Sequence, residues 1–425
     1  MQKNEQKYNA YIKILHEELI PAMGCTEPIA LSLAAAKARE ALGAMPDHVS
    51  VGASGSVIKN VKSVVVPHTN HLRGIPAAVA AGIVAGNSAR ELEVIADVSD
   101  EQCAAIAQFL EATPISVTHI DNGITFDIIV TVHAGSSYAT VRIAHYHTNI
   151  VLIEKDGARS IDIPVVEADD EGLTDRSLLD IESIYDFAQT VDIADVRDII
   201  ARQISYNTEI AKEGLCGAYG SSIGKLLLAS QGTAVHTRAK AKAAAGSDAR
   251  MNGCELPVVI NSGSGNQGIT CSVPVIEYAT EYHKSEEELY RALVLSNLVA
   301  IHQKTGIGRL SAYCGAVSAG TGAGAGIAYL LGAGIEDISN TISNSLAIAS
   351  GMICDGAKAS CAAKIAESVD AGILGYTMSM HKKNFLPGDG IAGRDIEATI
   401  TNVGRLAKDG MHQTNEEIIK IMVGQ

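Results

Sequence analysis

RSIDIPVVEADDEGLTDRSLLDIESIYDFAQT, residues 159–190, divides the chain into two kinds of sequence. RSIDIPVV closes a run of strand-like segments. EADDEGLTD (167–175) is polar and acidic and reads as a linker. RSLLDIESIYDFAQT opens a region where apolar residues recur at helical spacing. Before the linker, ISVTHI (115–120), ITFDIIVTVHA (124–134), YATVRIAHYH (138–147) and IVLIEKDG (150–157) read as strands separated by the turns DNG, AGSS and KDGA. After it, ADVRDIIARQISYNTEIAKEG (194–214), SEEELYRALVLSNLVAIHQ (285–303), IEDISNTISNSLAIASG (335–351) and NEEIIKIMVG (415–424) read as helices.

Toward the N-terminus, Ile12, Leu15 and Leu19 form one helical stripe, which Pro21 ends. A second helix opens near Thr26, with Pro28 in its first turn, and runs to Gly43. HVSVGASGSVIK (48–59), SVVVPH (63–68) and ELEVIADVS (91–99) read as strands. PAAVAAGIVAG (76–86) and DEQCAAIAQFLEA (100–112), capped by Ser99 or Asp100, read as helices. The expected class is α+β, with a mixed α/β domain over 1–168 and a larger all-α domain over 169–425.

Composition narrows the function. Of 425 residues, 47% are hydrophobic and 19% charged, which excludes a disordered chain. A net charge of −15 repels nucleic acid and anionic membranes. The N-terminal MQKNEQKYNAYIKILHEELIP is polar and carries no secretory pattern, so a cytoplasmic protein is expected. In that compartment cysteine serves catalysis or metal binding more often than disulfides. LSAYCGAVSAGTGAGAGIAYLLGAG (310–334) has no charge and is long enough to span a bilayer. Its Gly, Ala, Ser and Thr content and its flanking Arg309 and Glu336 point instead to a buried helix.

Eight cysteines are the chemical resource. Cys103 sits in an ordinary amphipathic helix, and Cys216, Cys254 and Cys271 have no partner at a suggestive spacing. Cys25 precedes a helix start, where the helix dipole favours a thiolate. Cys354 and Cys361 flank an Asp-Gly in GMICDGAKASCAAK. On one continuous helix their sulfurs would be roughly 10 Å apart, but a break at Asp-Gly would let a loop fold both onto one group. Neither the C-x-x-C zinc spacing nor the ferredoxin run is present. NSGSGNQGIT (261–270) offers backbone N–H groups and polar side chains for a carboxylate or phosphate, and GSDARMNG (246–253) carries Arg250 as a carboxylate partner. AHYHTNIV (144–151) puts His145 and His147 together at a strand end.

The set GCTEPIAL (24–31), HTNIV (147–151), SDARM (247–251), NSGSGNQGIT (261–270), RLSA-C (309–314) and GMICDGA-SCA (351–362) resembles the L-cysteine desulfidase family, which is related to the iron–sulfur L-serine dehydratases. The resemblance implies a [4Fe–4S] cluster on Cys314, Cys354 and Cys361 with one iron open to substrate. It implies Cys25 as proton acceptor, or as a group reaching the fourth iron. It places Thr26, Glu27, His147, Thr148, Asn149, Ser247, Asp248, Arg250, Asn261, Ser262, Ser264, Asn266 and Gln267 around the substrate. The implied reaction converts L-cysteine and water to pyruvate, ammonia and hydrogen sulfide without pyridoxal phosphate. At Val61, Lys62 and Ser63 the chain departs from the family pattern, which leaves L-serine open as substrate. A non-enzymatic iron–sulfur sensor is the alternative from another class. The Ala/Gly-rich helical surface suggests a homodimer.

Overall fold

The computed structural model describes residues 1–3, 5–165, 173–308 and 310–423. In chain order come α1 (Gln6–Glu18), β1 (Pro21–Met23), α2 (Thr26–Leu42), β2 (His48–Ser54), α3 (Gly55–Val61), α4 (Gly74–Ala85) and α5 (Asp100–Ala112). The strands β3 (Ile115–Ile120), β4 (Asp127–Ala134), β5 (Ser137–Ala144), β6 (Ile150–Lys155) and β7 (Ala158–Asp162) follow. Then come α6 (Ile181–Thr190), α7 (Ile193–Cys216), α8 (Ile223–Gln231), α9 (Val235–Met251), β8 (Pro257–Val259), α10 (Gly265–Glu281) and α11 (Glu286–Ile307). The chain ends with α12 (Gly315–Leu330), α13 (Ile335–Ala349), α14 (Cys361–Met380), α15 (Ile396–Arg405) and α16 (His412–Val423). The class is α+β, with the larger sheet in the N-terminal part and mostly helices after it. The domain boundary expected at 168/169 lies outside the described residues.

The sheet has the order β3-β2-β4-β5-β6-β7, parallel only between β2 and β3. Val49, Val51 and Ala53 alternate with less buried neighbours, and Ile128, Val130 and Val132 do the same on β4. This alternation lets α2 cover one face while the other stays polar. Two segments expected as strands are not. ELEVIADVS falls in a 3-10 turn at Ser88–Glu93 and the loop after it, because Asn87 closes the loop through its N–H to the Val94 carbonyl (2.8 Å) and its side chain to Ala89 N (3.2 Å). SVVVPH is a closed loop, with Val66 N donating to the Leu72 carbonyl at 2.9 Å. The strand reading of 48–59 stops at Ser54, where α3 begins.

Two features position the site. A short antiparallel pair, β1 with β8, ties the entry to α2 to the segment leading into α10. In the helical part, α12 packs against α10, α11, α13 and α14. Backbones approach closely there: a Cβ on Gly324 would stand 2.6 Å from the Gly372 carbonyl oxygen, and one on Gly372 would collide with the Gly320 carbonyl. The uncharged 310–334 segment is therefore an interior helix built for close packing. Among the described residues no helix is long and apolar enough to cross a membrane.

Gly372→Ala should lower stability by about 1–3 kcal/mol through overpacking against α12. Urea denaturation should show a lower midpoint with an unchanged slope.

Candidate active site

Four helices begin at one buried cavity of about 100 Å³. Its lining includes Cys25, Thr26 and Glu27 at the start of α2, Ser264, Asn266 and Gln267 at the start of α10, Cys314 and Gly315 at the start of α12, and Cys361 at the start of α14. Arg250, Asn60, Lys304 and Cys354 complete the polar part. Helix N-termini carry unpaired N–H groups and partial positive charge, so the cavity favours anions.

Cys314 and Cys354 are brought together by backbone pairing. Cys314 N donates to the Met352 carbonyl at 3.0 Å, and Cys354 N donates to the Ala312 carbonyl at 2.6 Å. The seven residues from Cys354 to Cys361 form a loop that ends as α14 starts, so the two thiols are not on one helix. Gly356 has φ +95°, and a Cβ there would run into the Lys59 carbonyl, so the turn needs glycine. A hydrogen bond from Cys314 pulls the Cys354 thiol down against burial, with Lys59 helping, and the same bond pushes Cys314 up. Burial raises Cys361, and Cys354 adds to it.

Cys25 is the N-cap residue of α2, where the helix dipole was expected to favour the thiolate. The thiol is instead pushed well up, first by burial and then by Glu27, with Arg250 opposing. Its Sγ donates to Glu27 Oε2 at 3.0 Å. Burial alone would raise Glu27. His147, the Cys25 hydrogen bond and Asn60, which donates to Oε1 at 2.9 Å, outweigh it and hold the carboxyl below its ordinary value. Thr26 Oγ1 donates to the Gly263 carbonyl at 2.8 Å, joining this helix start to the glycine loop.

Arg250 Nη1 donates to Asn266 Oδ1 at 3.2 Å. Its Nε and Nη2 are buried without a partner, as are Gln267 Oε1 and Asn60 Oδ1. GSDARM forms the last turns of α9, which aims Arg250 inward. A Cβ on Gly265 would meet Val258 Cγ2 at 2.6 Å and clash with the guanidinium, so glycine makes room for the arginine.

The other expected residues lie around this centre. His147 is buried next to Phe126 (ring centroids 4.7 Å apart) and acts on Glu27 through charge. Thr148 and Asn149 are half-buried in the β5–β6 turn, where Asn149 Nδ2 donates to the Ala144 carbonyl at 2.9 Å. Ser247 is fully buried in α9. Asp248 Oδ2 accepts from Ile223 N at 2.7 Å and Oδ1 from Ser221 N at 3.4 Å, which caps α8. Asn261 Nδ2 donates to Asn297 Oδ1 at 2.9 Å and shapes the turn that Ser264 closes. Ser262 lines a neighbouring cavity of about 1000 Å³, which shares Lys304, Leu310 and Ser311 with the small one. Arg309, the first residue of the fifth motif, lies outside the described residues. Lys59, Asn60 and Lys304 were not expected at the site. The adjacent Lys-Asn pair in VIKNVKS was the signal in the sequence, and nothing marked Lys304.

A model of the serine dehydratase alpha chain family matches residues 89–420. The chain belongs to this family. It is 55% identical to a UPF0597 protein of Desulfitobacterium hafniense over 425 residues, which is 100% of this chain and 99% of that one. It is 52% identical to a UPF0597 protein of Lachnoclostridium phytofermentans, covering 98% of this chain and 100% of the relative. A UPF0597 protein of Treponema denticola is 43% identical over 100% of both chains. Membership points to a lyase of the serine dehydratase type.

Among the described residues no three His, Cys, Asp or Glu side chains stand close enough to hold a single metal ion. A cluster is a different test, because each thiolate takes a separate iron and the ligands stand further apart. Three thiols on one cavity wall, two of them at helix starts, fit such a group.

Asp248→Ala should cost about 1–2 kcal/mol by uncapping α8. A thermal melt beside the wild type measures it.

Proposed function

We propose that the protein is an iron–sulfur L-cysteine desulfidase, converting L-cysteine and water to pyruvate, ammonia and hydrogen sulfide. The observation that carries this reading is a partnerless half of the Arg250 guanidinium in a cavity of about 100 Å³ that four cysteines also line. A [4Fe–4S] cluster on Cys314, Cys354 and Cys361 would supply an open iron as Lewis acid for the leaving sulfur.

The chain's own residues do the rest. Arg250 Nε and Nη2 take the substrate carboxylate as a bidentate pair. Gln267 Oε1 and Asn60 Oδ1 accept from the amino group. Glu27 Oε2 takes the Cys25 thiol proton along the 3.0 Å hydrogen bond, and the Cys25 sulfur removes the Cα proton. Loss of that proton and of the β-sulfur leaves 2-aminoacrylate, which tautomerises and adds water to give pyruvate and ammonia. Burial keeps bulk water from the carbanionic stage. The larger cavity meets the small one at Lys304, Leu310 and Ser311 and serves as the entry route. L-serine is the second reading, favoured by the family description, with hydroxide as the leaving group.

Protein purified without oxygen should be brown, carry about four iron per chain and release sulfide and pyruvate from L-cysteine faster than pyruvate from L-serine. Preference for serine selects the second reading, and bound iron without turnover of either amino acid refutes both. Cys361→Ser should lose the iron, whereas Cys103→Ser should keep it.

Cys25→Ser should keep the iron and lose about 10²–10⁴-fold in turnover, the range of a general base. Loss of iron in this variant would make Cys25 a ligand instead.

A further inference from the structure

Lys59 is 2% exposed, among the largest fully buried side chains of the molecule. Its Nζ donates to the Ser311 carbonyl at 3.4 Å, the Cys354 carbonyl at 3.3 Å and Asn415 Oδ1 at 2.8 Å. Three acceptors use all three hydrogens of an ammonium, whereas a neutral amine has only two to give. The acceptors come from three separate segments: the approach to Cys314, the loop that carries Cys354, and α16. Among the described residues, Lys59 forms no ion pair with a carboxylate. Taking an ammonium out of water costs several kcal/mol unless charge in the interior offsets it. The neighbouring negative charge belongs to Cys354, Glu27 and Asp355, with Lys358 opposing them. A cluster held by three thiolates is a net anion, and net charge is one of the factors that set a cluster's potential.

We propose that Lys59 is the buried counter-cation of the cluster: a positioning residue whose charge raises the cluster's reduction potential and whose three hydrogen bonds lock both ligand loops to α16. This rests on the reading of Cys314, Cys354 and Cys361 as ligands. It assigns a role to α16, which otherwise touches the site only through the larger cavity. A ligand loop held from behind by a charge keeps its geometry when the cluster changes oxidation state.

The test compares wild type, Lys59→Gln, Lys59→Met and Lys59→Arg, all purified without oxygen. Iron content, circular dichroism and midpoint potential, from a dye-mediated titration followed by electron paramagnetic resonance, are the readouts. The two neutral variants should fold, and should either carry a cluster of lower midpoint potential or fail to retain it. Lys59→Arg should restore iron and potential toward the wild type. A neutral variant with the wild-type potential overturns the proposal. So does Lys59→Arg behaving like the neutral variants, or a chain that unfolds whenever Lys59 is neutral, since Lys59 would then be a structural residue only. Wild type without iron refutes the ligand reading itself, an outcome distinct from all of these.

Discussion

Four helices point their N-termini into one buried cavity, and the rest of the structure is organised by that constraint. Each terminus brings unpaired N–H groups and partial positive charge. Arg250 adds a full charge at the cavity wall, and Lys59 stands behind the Cys354 loop. A positive field of this kind is stable only where anionic groups meet it. Glu27 supplies one, and the Cys354 thiol, pulled down by the hydrogen bond from Cys314, is the other group inclined to ionise. Arg250 Nε and Nη2 are buried without a partner, which in the proposed reading leaves them for a substrate carboxylate. The elements behind the cavity hold these termini in place: the β1–β8 pair, the Tyr313–Ile353 bridge and the glycine contacts between α12 and α14.

Those glycine contacts explain the composition. Gly320, Gly324 and Gly372 let two helix backbones touch, so the helices that start at Cys314 and Cys361 stay close along their length. The same need makes α12 look like a membrane segment in sequence, since a fully buried helix has no polar face to show. The scarcity of aromatic side chains fits as well. Rings would hold these helices apart, and a small charged ligand gives them nothing to stack on.

Much of this was legible in the sequence, and the failures have physical causes. The five strands from β3 to β7 were visible because alternation survives wherever one face of a sheet stays polar. Four of the six motifs, GCTEPIAL, NSGSGNQGIT, RLSA-C and GMICDGA-SCA, meet at the cavity where helices start, SDARM reaches it from the end of α9, and HTNIV stays in the β5–β6 turn. ELEVIADVS and SVVVPH misled because three apolar residues buried in a loop have the same local pattern as a strand. Asn87, whose side chain and N–H close the first of these loops, was the only local sign. Lys59 was hidden for a different reason: its partners are 252, 295 and 356 positions away, and no local pattern encodes them.

The state of Cys25 bears most directly on the proposed chemistry. Position at a helix start argued for a thiolate, but a fully buried sulfur beside a carboxylate keeps its proton. A high thiol pKa makes the thiolate a strong base for the weakly acidic Cα proton but leaves little of it at neutral pH. Glu27, kept ionised by His147 and Asn60 at 3.0 Å from the sulfur, is the nearest proton acceptor, and the transfer to it is uphill because the carboxyl is lowered and the thiol raised. Substrate binding adds to the effect. In the proposed reading, a carboxylate seated on Arg250 would offset a nearby charge that lowers the Cys25 thiol, so the thiolate formed next to a bound substrate would be a stronger base than in the empty site. The pairing of Cys25 with Glu27, rather than the helix dipole, is therefore what would make this cysteine a base.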